Sequence, residues 1–280
     1  MEAVRKHEFY ESCLVELRAL KSLAERYARA AREKAESTDN PRRSQLTVIA
    51  ETLERVPAEP ARTFREAIQS AHFFLGTLFG LYPLGRPDRD FIAYYEHDLA
   101  EGRITREEAQ ELIDNYCLAV STCVFSRAAC GFIVGGQDAA GNLVENELTY
   151  MFLTALDHIR MPDPNGALAV NSRTSADILR YAAKILSRGV THPAFYNDEA
   201  IIRSLERYGC RHEDAVNYIH TTCAEISIAA PLEGHTLSLV SADGTETALT
   251  VETDGESASF VLDFTDVAIP AMLIRLLLTA

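Results

Sequence analysis

Two residues near the end of the stretch YIHTTCAEIS carry the chemistry of this chain. They are Cys223 and, two positions on, Glu225. In an extended or looped segment, residues i and i+2 point the same way, so a thiol and a carboxylate can face one small cavity. A nearby negative charge disfavours the thiolate, which makes this a poor arrangement for an ionic cysteine nucleophile. It suits a thiol that reacts without ionising, by losing a hydrogen atom, with the carboxylate left to take a proton from substrate. The competing reading is a lone buried cysteine that only packs, and among cysteines at large that reading is the commoner one.

Other chemical candidates reduce to local structure. His220 and Cys223 are three apart and would suit two metal ligands only on a helix, and no third ligand stands nearby. No metal site is read there. His212, Glu213 and Asp214 follow Gly209 and open a helix, where acids favour the dipole. Gly135, Gly136 and Gly141 match neither the dinucleotide nor the P-loop spacing and read as a tight turn, with Asp138 a turn residue. His72 sits among Phe64, Phe73, Phe74 and Phe79 on one helix, where a satisfied core histidine is the plainer reading and a substrate contact the sharper one.

The elements that must position these groups can be read from periodicity and punctuation. Residues 2–36 form a helix whose stripe is Cys13, Leu17, Leu20, Ala24, Tyr27 and Ala31. A second helix covers 43–55, and Pro57 and Pro60 make a corner before an aromatic core helix over 61–80. LYPLGRPDRD breaks the pattern. Thr105 and Glu108 form a capping box for a helix running to about 126. Helices over 144–159, 174–188 and 199–208 then alternate with strands at CGFIVGG, ALAVN and AFYND, and Gly189 and Gly209 act as stops. Short buried strands alternating with helices over 120–225 predict an α/β architecture with parallel strands. After Pro231 the runs HTLSLV, TETALTVE and SASFVLDF alternate with period two around Asp243-Gly244 and Asp254-Gly255, which predicts an antiparallel β tail.

Composition bounds the function. The 280 residues carry 27 basic and 41 acidic side chains, a net charge of −14. Residues 231–280 hold eight acidic residues against the single basic Arg275, which is half of that net charge. No basic face is visible, so nucleic acid is not an expected partner. The six cysteines are widely and irregularly spaced with no C-x-x-C pair, which signals neither zinc nor an iron–sulfur cluster. The charged start MEAVRKHEFYESC does not resemble a signal peptide, and VAIPAMLIRLLLTA is too short for a bilayer. A cytoplasmic protein with reduced thiols is expected.

Five blocks in order resemble the pyruvate formate-lyase-like family of glycyl radical enzymes. They are RVPAEPARTFREAIQSAHFF, GRPDRDFIAYYEHDLAEGRITREEAQELI, GGQDAAGNLVENELTYMFLTAL, GVTHPAFYNDEAIIRSLERYG and EDAVNYIHTTCAE, within residues 7–230. The resemblance implies the helix-rich part of a ten-stranded barrel, incomplete over residues 1–230, with residues 231–280 as an acidic β-rich tail. It implies that Cys223 holds the position of the thiyl radical that abstracts hydrogen from a small substrate. Glu225 matches the acid that acts as general base in the family's dehydratases and eliminases, and His72 stands where some dehydratases present a histidine to substrate. No bound cofactor is implied. The family uses a protein glycyl radical installed by a separate S-adenosylmethionine iron–sulfur activating enzyme, and the glycine motif near the family's C-terminus has no counterpart here. Expected partners are therefore the activating enzyme, a separate glycine-bearing polypeptide and a second copy of the chain, with neither nucleic acid nor membrane.

The sequence departs from the family in two ways. Thr222 stands where members commonly carry glycine. Pyruvate formate-lyase itself has two adjacent cysteines, whereas Cys223 has Thr222 and Ala224 as neighbours, so C–O, C–N or C–C cleavage of the dehydratase, eliminase or decarboxylase kind fits better than formate formation. The alternatives are an inactive remnant and a scaffold or binding module that works through its acidic tail.

Overall fold

The computed structural model describes residues 2–77, 83–123, 130–221 and 225–228, together with five short strands between 236 and 279. Cys223, with Thr222 and Ala224, lies outside the described residues, as does Phe79.

The described elements run α1 (Glu2–Glu36), α2 (Arg42–Arg55), α3 (Phe64–Thr77), α4 (Pro87–Asp90), α5 (Ile92–Ala100), α6 (Arg106–Cys123), β1 (Gly131–Gly135), α7 (Glu147–Ile159) and β2 (Asn165–Val170). They continue with α8 (Ala176–Ser187), β3 (Ala194–Asn197), α9 (Asp198–Arg207), α10 (His212–Ala215), β4 (Ile219–His220) and β5 (Ile226–Ser227). Five tail strands complete the chain: β6 (Thr236–Val240), β7 (Glu246–Thr250), β8 (Glu252–Thr253), β9 (Ala258–Ser259) and β10 (Leu277–Thr279).

Strands β1, β2 and β3 form a parallel sheet in that order, with α7 and α8 as the crossovers. Both faces of the sheet are covered, so β1 and β2 lack the polar alternation of a surface strand. Phe132, Val134 and Leu168 enter a core built with α3, α5, α6, α7 and α8. Ile133, Ala167 and Ala169 point the other way, into a second core with Ile202, Val216 and Tyr218. Gly166 allows α7 to settle on the sheet, because a Cβ there would lie 2.5 Å from Leu156 Cδ1 and 2.9 Å from Phe132 Cζ. Residue pairs Gly85 and Phe132 add a parallel bridge on the free side of β1, which places the segment before α4 against the sheet. The expected parallel α/β pattern is thus present as three strands.

Several boundaries follow the expected caps. Thr105 Oγ1 accepts from the Glu108 amide at 3.1 Å while the Thr105 amide donates to Glu108 Oε2 at 2.8 Å. Gly189 and Gly209 follow α8 and α9 with φ of +82° and +88°. Helix α8 starts two residues later than expected, at Ala176, because Ser175 is the residue whose hydroxyl caps Ile178, while Thr174 Oγ1 accepts from the Asn171 amide.

Two helical stripes differ from their expected form. On α1 the buried residues are Ala24, Ala28, Ala31 and Ala35, packed in part against Leu46 and Ala50 of α2, while Leu17 and Tyr27 are exposed. Small side chains let the two helix backbones approach closely, so a ridge of alanines wins over the larger residues. On α3, Phe64 and Leu75 are buried but Phe74 is exposed, so the aromatic run does not face the core throughout.

The tail strands pair as expected for period-two segments. β6 and β7 form an antiparallel ladder from Thr236 opposite Thr250 to Val240 opposite Glu246, and β8 pairs β9 around Asp254-Gly255. Strand β10 adds to the far side of β6, although the apolar run containing it carried no strand expectation.

Candidate active site

Strands β4 and β5 form an antiparallel hairpin in which His220 pairs Ile226 and Ile219 pairs Ser227. The Thr221 amide donates to the Glu225 carbonyl oxygen at 2.9 Å, and the Thr221 hydroxyl lies 3.3 Å from the same oxygen and 3.5 Å from Glu225 Oε2. Residues 221 and 225, the described residues on either side of positions 222–224, are thus bonded to one another. Glu225 is exposed at its edge, and its charge raises the Tyr196 hydroxyl further above the ordinary tyrosine range, adding to the effect of burial.

The chain leading into the hairpin is held by two arginines from the Gly/Pro-broken segment around α4. Arg86 is buried; its Nε donates to the Tyr218 carbonyl oxygen at 2.9 Å, its Nη1 donates to the Gly135 carbonyl oxygen at 3.2 Å, and its guanidinium lies 4.4 Å over the Tyr218 ring. Arg89 donates to the carbonyl oxygens of Val216, Gly135 and Gln137 at 3.1, 3.1 and 2.8 Å. Burial, and then the neighbouring charge of Arg86, push its guanidinium down to about 10.

Between these arginines, Asp88 is fully buried and accepts from the Gly135 amide at 2.7 Å and from Thr149 Oγ1 at 2.9 Å. Burial raises its carboxyl above the usual range, against the pull of those two hydrogen bonds and of both arginines. Asp198, also fully buried, sits under Gly136, where a Cβ would meet its Oδ1 at 2.8 Å. The double-glycine turn is needed because Gly135 and Gly136 have φ of +80° and +75° and backbone or carboxylate lies directly against each. This is the tight turn read from the sequence, and it has a purpose: it presents the Gly135 carbonyl and amide to Arg86, Arg89 and Asp88.

His220 is fully buried. Its ring lies against Gly131, where a Cβ would be 2.7 Å from Nδ1, and it tilts over Tyr196 with centroids 5.3 Å apart. Neither ring nitrogen has a hydrogen-bond partner. Burial pushes the imidazole below the ordinary histidine range.

The structure places His72 elsewhere. Its ring stands edge-on to Tyr116 at 6.3 Å and lines a cleft of about 640 Å³ between α2, α3 and α6, whose walls include Arg42, Gln45, Arg65, Glu111 and Asn115. Among the described residues none of the hairpin lines that cleft. Nε2 of His72 is buried without a hydrogen-bond partner, and burial holds the imidazole below its ordinary range. His212 bonds Glu206 Oε1 at 2.7 Å, while Glu213 and Asp214 stand in the first turn of α10 and pair with Arg211; no side chain caps that helix, so the acids act there through charge alone. Asp138 accepts from the Asn142 amide at 2.8 Å and is a turn residue. Among the described residues no group of three or more His, Cys, Asp or Glu side chains is placed to hold a metal ion, and no helix is long and apolar enough to cross a membrane.

Sequence reasoning passed over Arg86 and Arg89. Their signal was two arginines and two aspartates packed into GRPDRD, too much charge for a simple loop. The sequence signals His220 only as a metal ligand, because its burial comes from the strand pairing and from the missing side chain at Gly131.

Comparison with known proteins agrees with this arrangement. The family model described as pyruvate formate lyase-like matches residues 1–241. The indoleacetate decarboxylase of Tractidigestivibacter scatoligenes is 32% identical over 252 residues, which cover 82% of this chain and 28% of that protein. The glycerol-bound B12-independent glycerol dehydratase of Clostridium butyricum superposes with a TM-score of 0.73 at 30% identity, over 81% of this chain and 31% of that one. A glycyl radical enzyme from Archaeoglobus fulgidus superposes with a TM-score of 0.70 at 30% identity, over 75% and 29% respectively. The chain thus spans roughly three-tenths of the length of the relatives it matches. Family model, relatives and superposed structures agree, and the chain belongs to the pyruvate formate lyase-like family.

Proposed function

We propose that this chain is the cysteine-bearing segment of a glycyl radical lyase that cleaves a C–O, C–N or C–C bond in a small, hydroxyl-bearing substrate. The observation that supports the reading is the backbone hydrogen bond from the Thr221 amide to the Glu225 carbonyl oxygen, which ties together the two described residues that flank positions 222–224.

In this reading the glycyl radical of the family supplies the unpaired electron. Cys223 in its one-electron-oxidised form takes a hydrogen atom from a substrate carbon, so that an S–H bond forms as a C–H bond breaks. Glu225 accepts the proton of the neighbouring substrate hydroxyl, which drives electron density toward the carbon that loses its leaving group. The charge-free thiol is compatible with the adjacent carboxylate, because no thiolate has to form beside it. Arg86 and Arg89 fix the strand that delivers both groups, and they act as positioning residues. His72 is read as a substrate contact in the cleft between α2, α3 and α6, a reading supported by its buried, unpartnered Nε2.

The test is turnover of glycerol, 1,2-propanediol and related small hydroxylated substrates under anaerobic conditions. The full chain is combined with an activating enzyme and a glycine-bearing polypeptide. Cys223→Ala should abolish product, and Glu225→Gln should lower kcat by about 10²- to 10⁴-fold, the usual worth of a positioned base. Unchanged turnover in Cys223→Ala would end the proposal.

A further inference from the structure

His220 stands three residues before Cys223, on the strand that feeds the turn, and every group around it can be named. Gly131 of β1 lies flat against its ring, with Nδ1 2.7 Å and Cε1 3.0 Å from where a Cβ would stand. Tyr196 of β3 tilts over it at 5.3 Å. The charged or titratable groups that act on it are Glu225 at the end of the turn and His192 in the loop before β3. The main chain of Phe132 and of Asn165 also faces the ring and favours its charged form, an effect smaller than the opposing one of burial.

The ring is wholly buried and both nitrogens lack a hydrogen-bond partner. A neutral imidazole leaves one donor and one acceptor without a well-formed bond in such a place, whereas an imidazolium also brings in a charge, which burial opposes more strongly than the nearby main chain and Glu225 support it. Burial is therefore tolerable for one protonation state and costly for the other. Gly131 matters equally, because any larger residue would occupy the space that the ring fills.

We propose that His220 is a positioning residue whose uncharged ring, seated on Gly131 and beneath Tyr196, holds the β4–β5 hairpin against β1, and that protonation unseats it. The consequence for Cys223 and Glu225 rests on their reading as the reacting pair; the hairpin itself does not depend on it.

The experiment follows amide hydrogen exchange in the full chain, read by mass spectrometry on peptides spanning 218–228 and corrected for the intrinsic pH dependence of exchange. The amide of Thr221, bonded to Glu225, is the reporter. Wild type should lose protection in this segment by about tenfold for each pH unit below the onset of protonation, while peptides from α7 and β2 keep theirs. His220→Phe keeps a flat ring without a titrating group, and its protection there should be independent of pH between 7 and 5. Gly131→Ala should lower protection at all pH values, and combining it with His220→Ala should restore part of it. A proton NMR titration of the His220 ring in wild type guards against misfolding of the variants. Titration at the ordinary histidine position with protection unchanged would overturn the proposal, as would a pH response shared equally by wild type and His220→Phe. Loss of turnover in Cys223→Ala with no change in exchange would leave the two proposals separately decided.

Discussion

Arg86 Nε donates to the carbonyl oxygen of Tyr218 at 2.9 Å, joining positions 132 residues apart in a buried hydrogen bond. The same guanidinium reaches Gly135, so one side chain links the segment before α4, the end of β1 and the approach to the cysteine hairpin. A lysine keeps the charge but cannot donate in two directions from a planar fork. Arg86→Lys should therefore cost about 1.5–3 kcal/mol of stability, as expected for losing a charge-assisted buried bond. Urea unfolding measures it, and a loss below about 0.5 kcal/mol would show the clamp to be dispensable.

Gly136 and Gly141 have nearly equal φ, +75° and +77°, but only Gly136 is crowded, with Asp198 Oδ1 2.8 Å from a would-be Cβ. Alanine at either position pays the left-handed backbone penalty of about 1 kcal/mol or more. Gly136→Ala should cost more than Gly141→Ala, because Asp198 is fully buried and held by its surroundings. Equal unfolding midpoints for the two variants would refute the crowding argument.

Three histidines respond to acid in the same sense. Burial holds His72, His192 and His220 below the ordinary histidine range. The unfolded chain protonates first as pH falls, so it binds more protons than the folded chain, and stability must decline as pH drops through about 6.5. Above that range all three are neutral in both states and their contribution is complete. Urea midpoints at pH 7.5 and 5.5 should differ in favour of pH 7.5, and the triple replacement of these histidines by phenylalanine should reduce the difference.

Two thiols should be inert in the folded chain. Burial pushes Cys130 up to about 12 and Cys117 higher still, and each sits near an aspartate that adds to the shift. Iodoacetamide at pH 8 should leave both unlabelled while Cys13 and Cys210, which are only half-buried, react. Peptide mapping decides the point; labelling of Cys117 at a rate comparable with Cys13 would contradict its burial.

Much of the fold is legible in the sequence because its signals are local. Thr105 and Glu108 are three apart and cap one another, and Gly189 and Gly209 mark helix ends by backbone conformation alone. Short apolar runs separated by helices announce parallel strands buried on both sides. Helix α5 escapes this reading because Pro and Gly residues just before it suggest a loop, while its buried Tyr95 and Asp98 are fixed by tertiary contacts. Arg86 and His220 escape for the same kind of reason. Their environments are made by Tyr218, Gly135 and Gly131, and no periodicity records a contact between distant positions. Cys223 and Glu225 stand out in the sequence as a pair, and the hairpin adds the backbone bond from Thr221 to Glu225 that fixes the turn.

The pairing of His220 with Ile226 also constrains how this region can change over evolutionary time. The rungs on either side of residues 221–225 are held by Arg86 and by the packing of His220 on Gly131, so the spacing between them is set by the scaffold. An inserted or deleted residue would shift one strand by a step and turn alternate side chains to the opposite face. Variation at this turn is therefore expected as exchanges of residue type at constant length, which is a route by which a common scaffold can be refitted to new substrates without rebuilding the strands beneath it.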